Sequence, residues 1–236
     1  MRLRILSVVF ACLALATSAR AAVMFSGTNG SLAASATFDV AGGNLLVQLT
    51  NTSSSDVLLP ADVLSAVFFD VVGSPTLTRV SAFIAPGSGV VNGTAPGGDV
   101  GGAWAFKAGL VGAPGGAKYG ITSAGLGLFG PGDVFPGADP DPNNGPDGMS
   151  FGLLSAGDNT ATGNSPILSN IFVKNSVDFV LSGLPAGFSL NNITNVRAQY
   201  GTVLVAEPEI RLLPEPASLS LIALGATVLV RRRRAA

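Results

Sequence analysis

The 236-residue chain contains no histidine, a single cysteine, a single tryptophan and two tyrosines, and charged residues make up only 11% of it. Each scarcity removes a chemistry. Without an imidazole, a serine or threonine nucleophile would have to pass its proton to lysine or a carboxylate, and Lys107, Lys118 and Lys174 sit in no Ser-x-x-Lys pattern. A paired-carboxylate glycosidase could draw on the aspartates, but between residues 22 and 213 the only glutamates are Glu207 and Glu209, beside the C-terminal tail. The stretch Gly125-Leu126-Gly127 is followed by no lysine and lies in no βαβ pattern, so it is not a phosphate loop. The sequence is therefore read as non-enzymatic. Basic residues are sparse as well. Residues 22–213 hold six (Arg79, Lys107, Lys118, Lys174, Arg197, Arg211) against thirteen acidic residues, a formal charge of −7. Such a surface argues against nucleic acid or a basic membrane-binding patch, and favours solubility outside the cell or the binding of cations.

Long apolar runs are confined to the two ends. Arg2 and Arg4 precede the apolar residues 5–16, and Ala19-Arg20-Ala21 offers a small-x-small cleavage site before Ala22. This is the layout of a cleavable signal peptide over residues 1–21. Cys12 would leave with it, so the mature chain would have neither disulfide nor thiolate; lipid attachment at Cys12 is disfavoured by the bulky Phe10 two residues before it.

At the other end stand Pro214-Glu215-Pro216, the uncharged residues 217–230, and then Arg231, Arg232, Arg233 and Arg234. An uncharged helix-capable segment enters a bilayer and an arginine cluster holds its end on the cytoplasmic side, so the preceding domain is expected outside. As a helix the run spans about 21 Å against a hydrocarbon core of about 30 Å. Four arginines beside an anionic leaflet add on the order of 4 kcal/mol. The anchor is marginal, which suits temporary retention, and the two prolines keep the strip before it extended.

The order Pro214-Glu215-Pro216-Ala217-Ser218, short hydrophobic helix, arginine cluster resembles the PEP-CTERM sorting signal of bacterial exosortase substrates. The resemblance implies that Pro214, Glu215 and Pro216 are recognised by an exosortase-type membrane cysteine peptidase, that the tail is removed after transient inner-membrane anchoring, and that the domain passes to the cell surface or extracellular matrix of a Gram-negative bacterium. A plain tail anchor with a proline-rich stalk is the alternative. More loosely, Leu49-Thr50-Asn51-Thr52-Ser53, Phe68-Phe69-Asp70, residues 125–130 and Gln199-Tyr200-Gly201-Thr202 resemble the XDD class of exosortase-dependent surface proteins, which implies surface sorting and no activity.

Residues 22–209 read as one all-β domain, followed by a sorting tail over 210–236. No stretch keeps helical periodicity for three turns, while short β-prone runs alternate with glycine, asparagine, serine and proline. Apolar residues at 34, 36, 38 and 40 face residues 45–50 across Ala41-Gly42-Gly43-Asn44, a hairpin pattern. Further strands are predicted at 66–71, 77–84, 103–107, 151–154, 176–182 and 196–205, with long Gly/Pro-rich loops between 85 and 166. A single β-sandwich satisfies these alternating faces, and a closed barrel is the second choice.

Two features inside the domain suggest ligands. Asp139, Asp141, Asn143 and Asp147 space oxygen donors as calcium prefers, although prolines intervene and no bidentate glutamate follows. The alternative is an exposed turn in which Asp and Asn cap their own backbone. Trp104 and Phe106 could form an aromatic platform for a sugar ring, although core packing is the commoner fate of a lone tryptophan. The sequence thus favours an exported structural or adhesive surface protein, with a secreted carbohydrate-binding module using loops 85–166 as the competing reading. Four Asn-x-Ser/Thr triplets, beginning at Asn29, Asn51, Asn92 and Asn192, are read as chance matches in a bacterial exported chain.

Overall fold

The computed structural model describes residues 22–141, 146 and 148–215. Residues 1–21, read above as a signal peptide, Pro216, the hydrophobic run 217–230, Arg231 to Arg234, Asn143 and Asp147 lie outside the described residues. In chain order the strands are β1 (Val23–Asn29), β2 (Leu32–Ala41), β3 (Asn44–Asn51), β4 (Leu64–Val71), β5 (Thr78–Ile84), β6 (Gly89–Val91), β7 (Ala105–Ala108), β8 (Tyr119–Thr122), β9 (Leu153–Leu154), β10 (Phe172–Lys174), β11 (Ser176–Ser182), β12 (Ile193–Tyr200), β13 (Glu209–Arg211) and β14 (Leu213–Pro214). A five-residue helix, Ser165–Ser169, is capped by the Asn164 side chain. No helix among the described residues is long and apolar enough to cross a membrane.

The strands form two sheets. One runs β14-β1-β2-β3-β11-β5, the other β13-β12-β4-β9-β10-β6, with β8 also pairing β4 and β7 pairing β8. Every pairing is antiparallel except that of β9 with β10. The sheets pack face to face as a sandwich, as the alternating pattern predicted. Alternate residues of β2 and β3 (Ala34, Ala36, Phe38; Leu45, Val47, Leu49) meet Val67, Phe69, Ile121, Val196 and Ala198 of the second sheet in one core. Within it Phe25 meets Phe38 edge-on, Phe38 meets Phe69, and Phe69 stacks on Tyr119. Full burial of each such ring contributes about 1.5–3 kcal/mol.

The second sheet is covered on both faces. Ala66 and Phe68 of β4 point away from the main core and pack under Leu110, Ala113, Ala117 and Leu126, so the glycine-rich loops form a lid over this sheet. The outer face of the first sheet carries no such cover: Met24 and Phe83 are about two-fifths exposed there.

The β2–β3 hairpin turns through Gly42 at φ 58° and Gly43 at φ 80°, the pair of positive angles a two-residue hairpin needs. Strands predicted at 66–71, 77–84 and 176–182 are present. The one predicted at 103–107 starts later, because residues Gly101–Ala103 close a 3-10 turn. The one at 151–154 shrinks to Leu153–Leu154, since Phe151 has a positive φ of 59°. The one at 196–205 occupies Ile193–Tyr200 and stops where Gly201 turns at φ 72°. The paired strands also continue through Pro214, so the folded domain extends beyond the expected boundary at residue 209.

Candidate functional site

The described part of the Pro-Glu-Pro motif belongs to the sheet. Strand β14 lies against β1 with Phe25 opposite Pro214 and Ser26 opposite Leu213, and the Glu215 N–H donates to the Met24 carbonyl at 2.9 Å. Leu213, Pro214 and Glu215 are all exposed. The domain holds this strip through β13: Ile210 and Leu212 are buried in the main core, and the Leu212 N–H donates to Val196 O at 2.9 Å. Gly27 leaves room for the crossing, since a Cβ there would stand 2.7 Å from Arg211 O and 2.8 Å from the Ile210 side chain. Arg197 pairs with Glu209 across the same β12–β13 ladder.

The β12–β13 connection, residues 201–208, is built around two side chains. The Glu207 carboxylate accepts the N–H groups of Thr202 and, at 2.6 Å, Val203. Gln199, fully buried, turns its amide nitrogen to the carbonyls of Tyr200 at 2.7 Å and of Glu207 and Pro208, each at 3.3 Å. The sequence marked Glu207 only as a scarce glutamate and Gln199 only within a family-like run, because a glutamine in a β run has no legible structural role until the returning loop places carbonyls around it.

Asp139 and Asp141 sit together in the loop after β8. The Asp141 N–H donates to Asp139 Oδ1 at 3.1 Å, the self-capping turn weighed against calcium. Asn143 and Asp147 are outside the described residues, and no cluster of three acidic or other metal-binding side chains occurs among the described ones. A third carboxylate organises the neighbourhood: Asp99 accepts the N–H groups of Gly101 at 2.9 Å and Ala138 at 2.9 Å, tying the turn before Trp104 to the loop that carries Asp139.

Trp104 is fully buried and packs on Phe179, with ring centroids 4.9 Å apart. Phe106 is also buried and lies 6.3 Å from Tyr119. The pair therefore belongs to the core and offers no platform to a sugar. A shallow depression of about 410 Å³ does lie on the open face of the first sheet, lined by Thr37, Asp39, Leu46, Gln48, Asp178 and Val180, with Gln48 donating to Asp178 at 2.7 Å.

Two tyrosines have raised pKa values. Burial pushes Tyr200 up to about 12, against the opposing effect of hydrogen bonds to Ser53 and to the Ala33 carbonyl. Burial, then the Asp70 carboxylate, raises Tyr119. Both hydroxyls act as struts: Tyr200 Oη donates to Ala33 O across the two sheets at 2.8 Å, and Tyr119 Oη donates to Pro75 O at 2.7 Å. No family model, curated protein or solved structure matches the chain.

Proposed function

We propose that this chain is exported, held briefly at the inner membrane by residues 217–230, recognised at Pro214-Glu215-Pro216 by an exosortase-type peptidase, and delivered as a non-enzymatic structural or adhesive domain to the cell surface or extracellular matrix. The observation that carries the reading is the order of three features in the tail: an extended proline-bounded motif, an uncharged run short for a permanent span, and four consecutive arginines. The sandwich supports it in one respect. Among the described residues the last hydrogen bond to the sheet is that of Glu215, so the described strands run up to the middle of the motif.

Mass spectrometry of the protein recovered from cells and from medium tests the reading at both ends. A mature N-terminus at Ala22 and loss of the residues beyond the motif are expected. Recovery of the intact 236-residue chain from the cytosol would sink it. The carbohydrate-binding alternative, placed on loops 85–166, cannot use Trp104, which is buried, and finds a depression on the open face of the first sheet. Glycan binding that disappears in Gln48→Ala would favour that alternative.

A further inference from the structure

Both processed ends leave the sandwich at one pole. Val23 pairs with Phe38 near the end of β2, and Glu215 is bonded to Met24 beside it. The same pole carries the β2–β3 turn, the β4–β5 connection, the β7–β8 connection and the β11–β12 connection, as the registers of these strands require. Tyr119 Oη braces it by donating to Pro75 O.

This pole differs from the opposite one in charge. The connections at this pole, residues 41–44, 72–77, 109–118 and 183–192, contain one charged side chain, the exposed Lys118, while the exposed tips Val72 and Val111 are 62% and 83% accessible. Apolar side chains are exposed at the far pole too, for example Leu58 and Val205, but there they are interleaved with the partly exposed Asp56, Asp62 and Glu207.

From this we infer that the sparsely charged pole from which the C-terminal strip leaves is a membrane-facing surface, with Val72 and Val111 seated at the boundary between headgroups and acyl chains while the chain is anchored. The inference rests on reading residues 217–230 as the anchor. Chain length supplies the occupant: only Pro216 separates Glu215 from the apolar run, and two residues reach about 7 Å. A domain tied that closely cannot stand away from the bilayer. Two valines bind a bilayer weakly by themselves, but the tether makes the contact intramolecular, so weak contact suffices.

The test uses the full chain in vesicles. Val72→Cys, Val111→Cys and, at the far pole, Ala161→Cys are each made in a Cys12→Ser background and labelled with an environment-sensitive dye. Blue-shifted emission and quenching by spin-labelled lipid at 72 and 111, with 161 open to aqueous iodide, is the expected result. If the chain floats with the vesicles, a chain ending at Pro216 does not, and 72 and 111 are as open to iodide as 161, the docking surface is wrong and the anchor stands. If the chain fails to float, or floats equally without residues 217–236, both readings fall.

Discussion

The backbone N–H of Glu215 donates to the carbonyl of Met24 at 2.9 Å, tying the middle of the Pro-Glu-Pro motif to the first strand of the domain. In this antiparallel register the peptide groups of Leu213 and Glu215 face β1, and those of Pro214 face outward. Proline is tolerated there because its missing N–H would have pointed away from β1. The same absence leaves the outer edge without a donor at residue 214, which discourages pairing with another strand.

A chain ending at Leu212 should be less stable than one ending at Glu215, by at most about 2 kcal/mol. The added hydrogen bonds contribute roughly 0.5–1.5 kcal/mol each, and ordering the extra residues offsets much of this. Urea midpoints of the two chains measure the difference, and equal midpoints would show that β14 adds nothing. Slow hydrogen exchange at the Glu215 amide is the companion observation.

Gly27→Ala should loosen the C-terminal strip from the sheet. Its Cβ would press on Arg211 O at 2.7 Å, a backbone atom that cannot rotate aside. A loss of about 1–3 kcal/mol is expected. The exchange protection of Glu215 should fall with it, and an unchanged melting curve would refute the packing argument.

Trp104→Ala should cost about 3–5 kcal/mol, since it empties a fully buried site against Phe179. Trp104→Phe should cost less. Among the described residues Trp104 Nε1 has no hydrogen-bond partner, so deleting it breaks no bond. Denaturant unfolding ranks the two variants, and a tolerated alanine would contradict the core placement.

Alkaline pH should weaken the sandwich through Tyr200. Its pKa is raised from 10.0 to about 12 in the fold, so the stabilisation from its neutral hydroxyl is fully present below pH 10 and is lost as pH rises from 10 through 12. The shift corresponds to about 2–3 kcal/mol. Tyr200→Phe should be weaker at neutral pH by about 1 kcal/mol, having lost the bond to Ala33 O, yet show a shallower fall above pH 10. Melting temperatures across that range compare the two, and parallel curves would exclude Tyr200 as the titrating group.

The hairpin of β2 and β3 was legible from residue type alone, because period-two alternation and Gly42-Gly43 specify its faces and its turn. The tail's order of motif, apolar run and arginines is likewise a matter of sequence. Strands β6, β8, β10, β13 and β14 are two to four residues long. Segments so short have no stable periodicity of their own and exist only where a neighbouring strand offers a hydrogen-bonding edge. The fate of Trp104 was decided in the same way: an isolated aromatic can face water or a core, and only the second sheet, closing over Phe179, buried it. That Val23 and Glu215 lie at one end of the sandwich is also a property of the pairing, since β1 and β14 are nearly two hundred residues apart in the chain and become neighbours only through their antiparallel register.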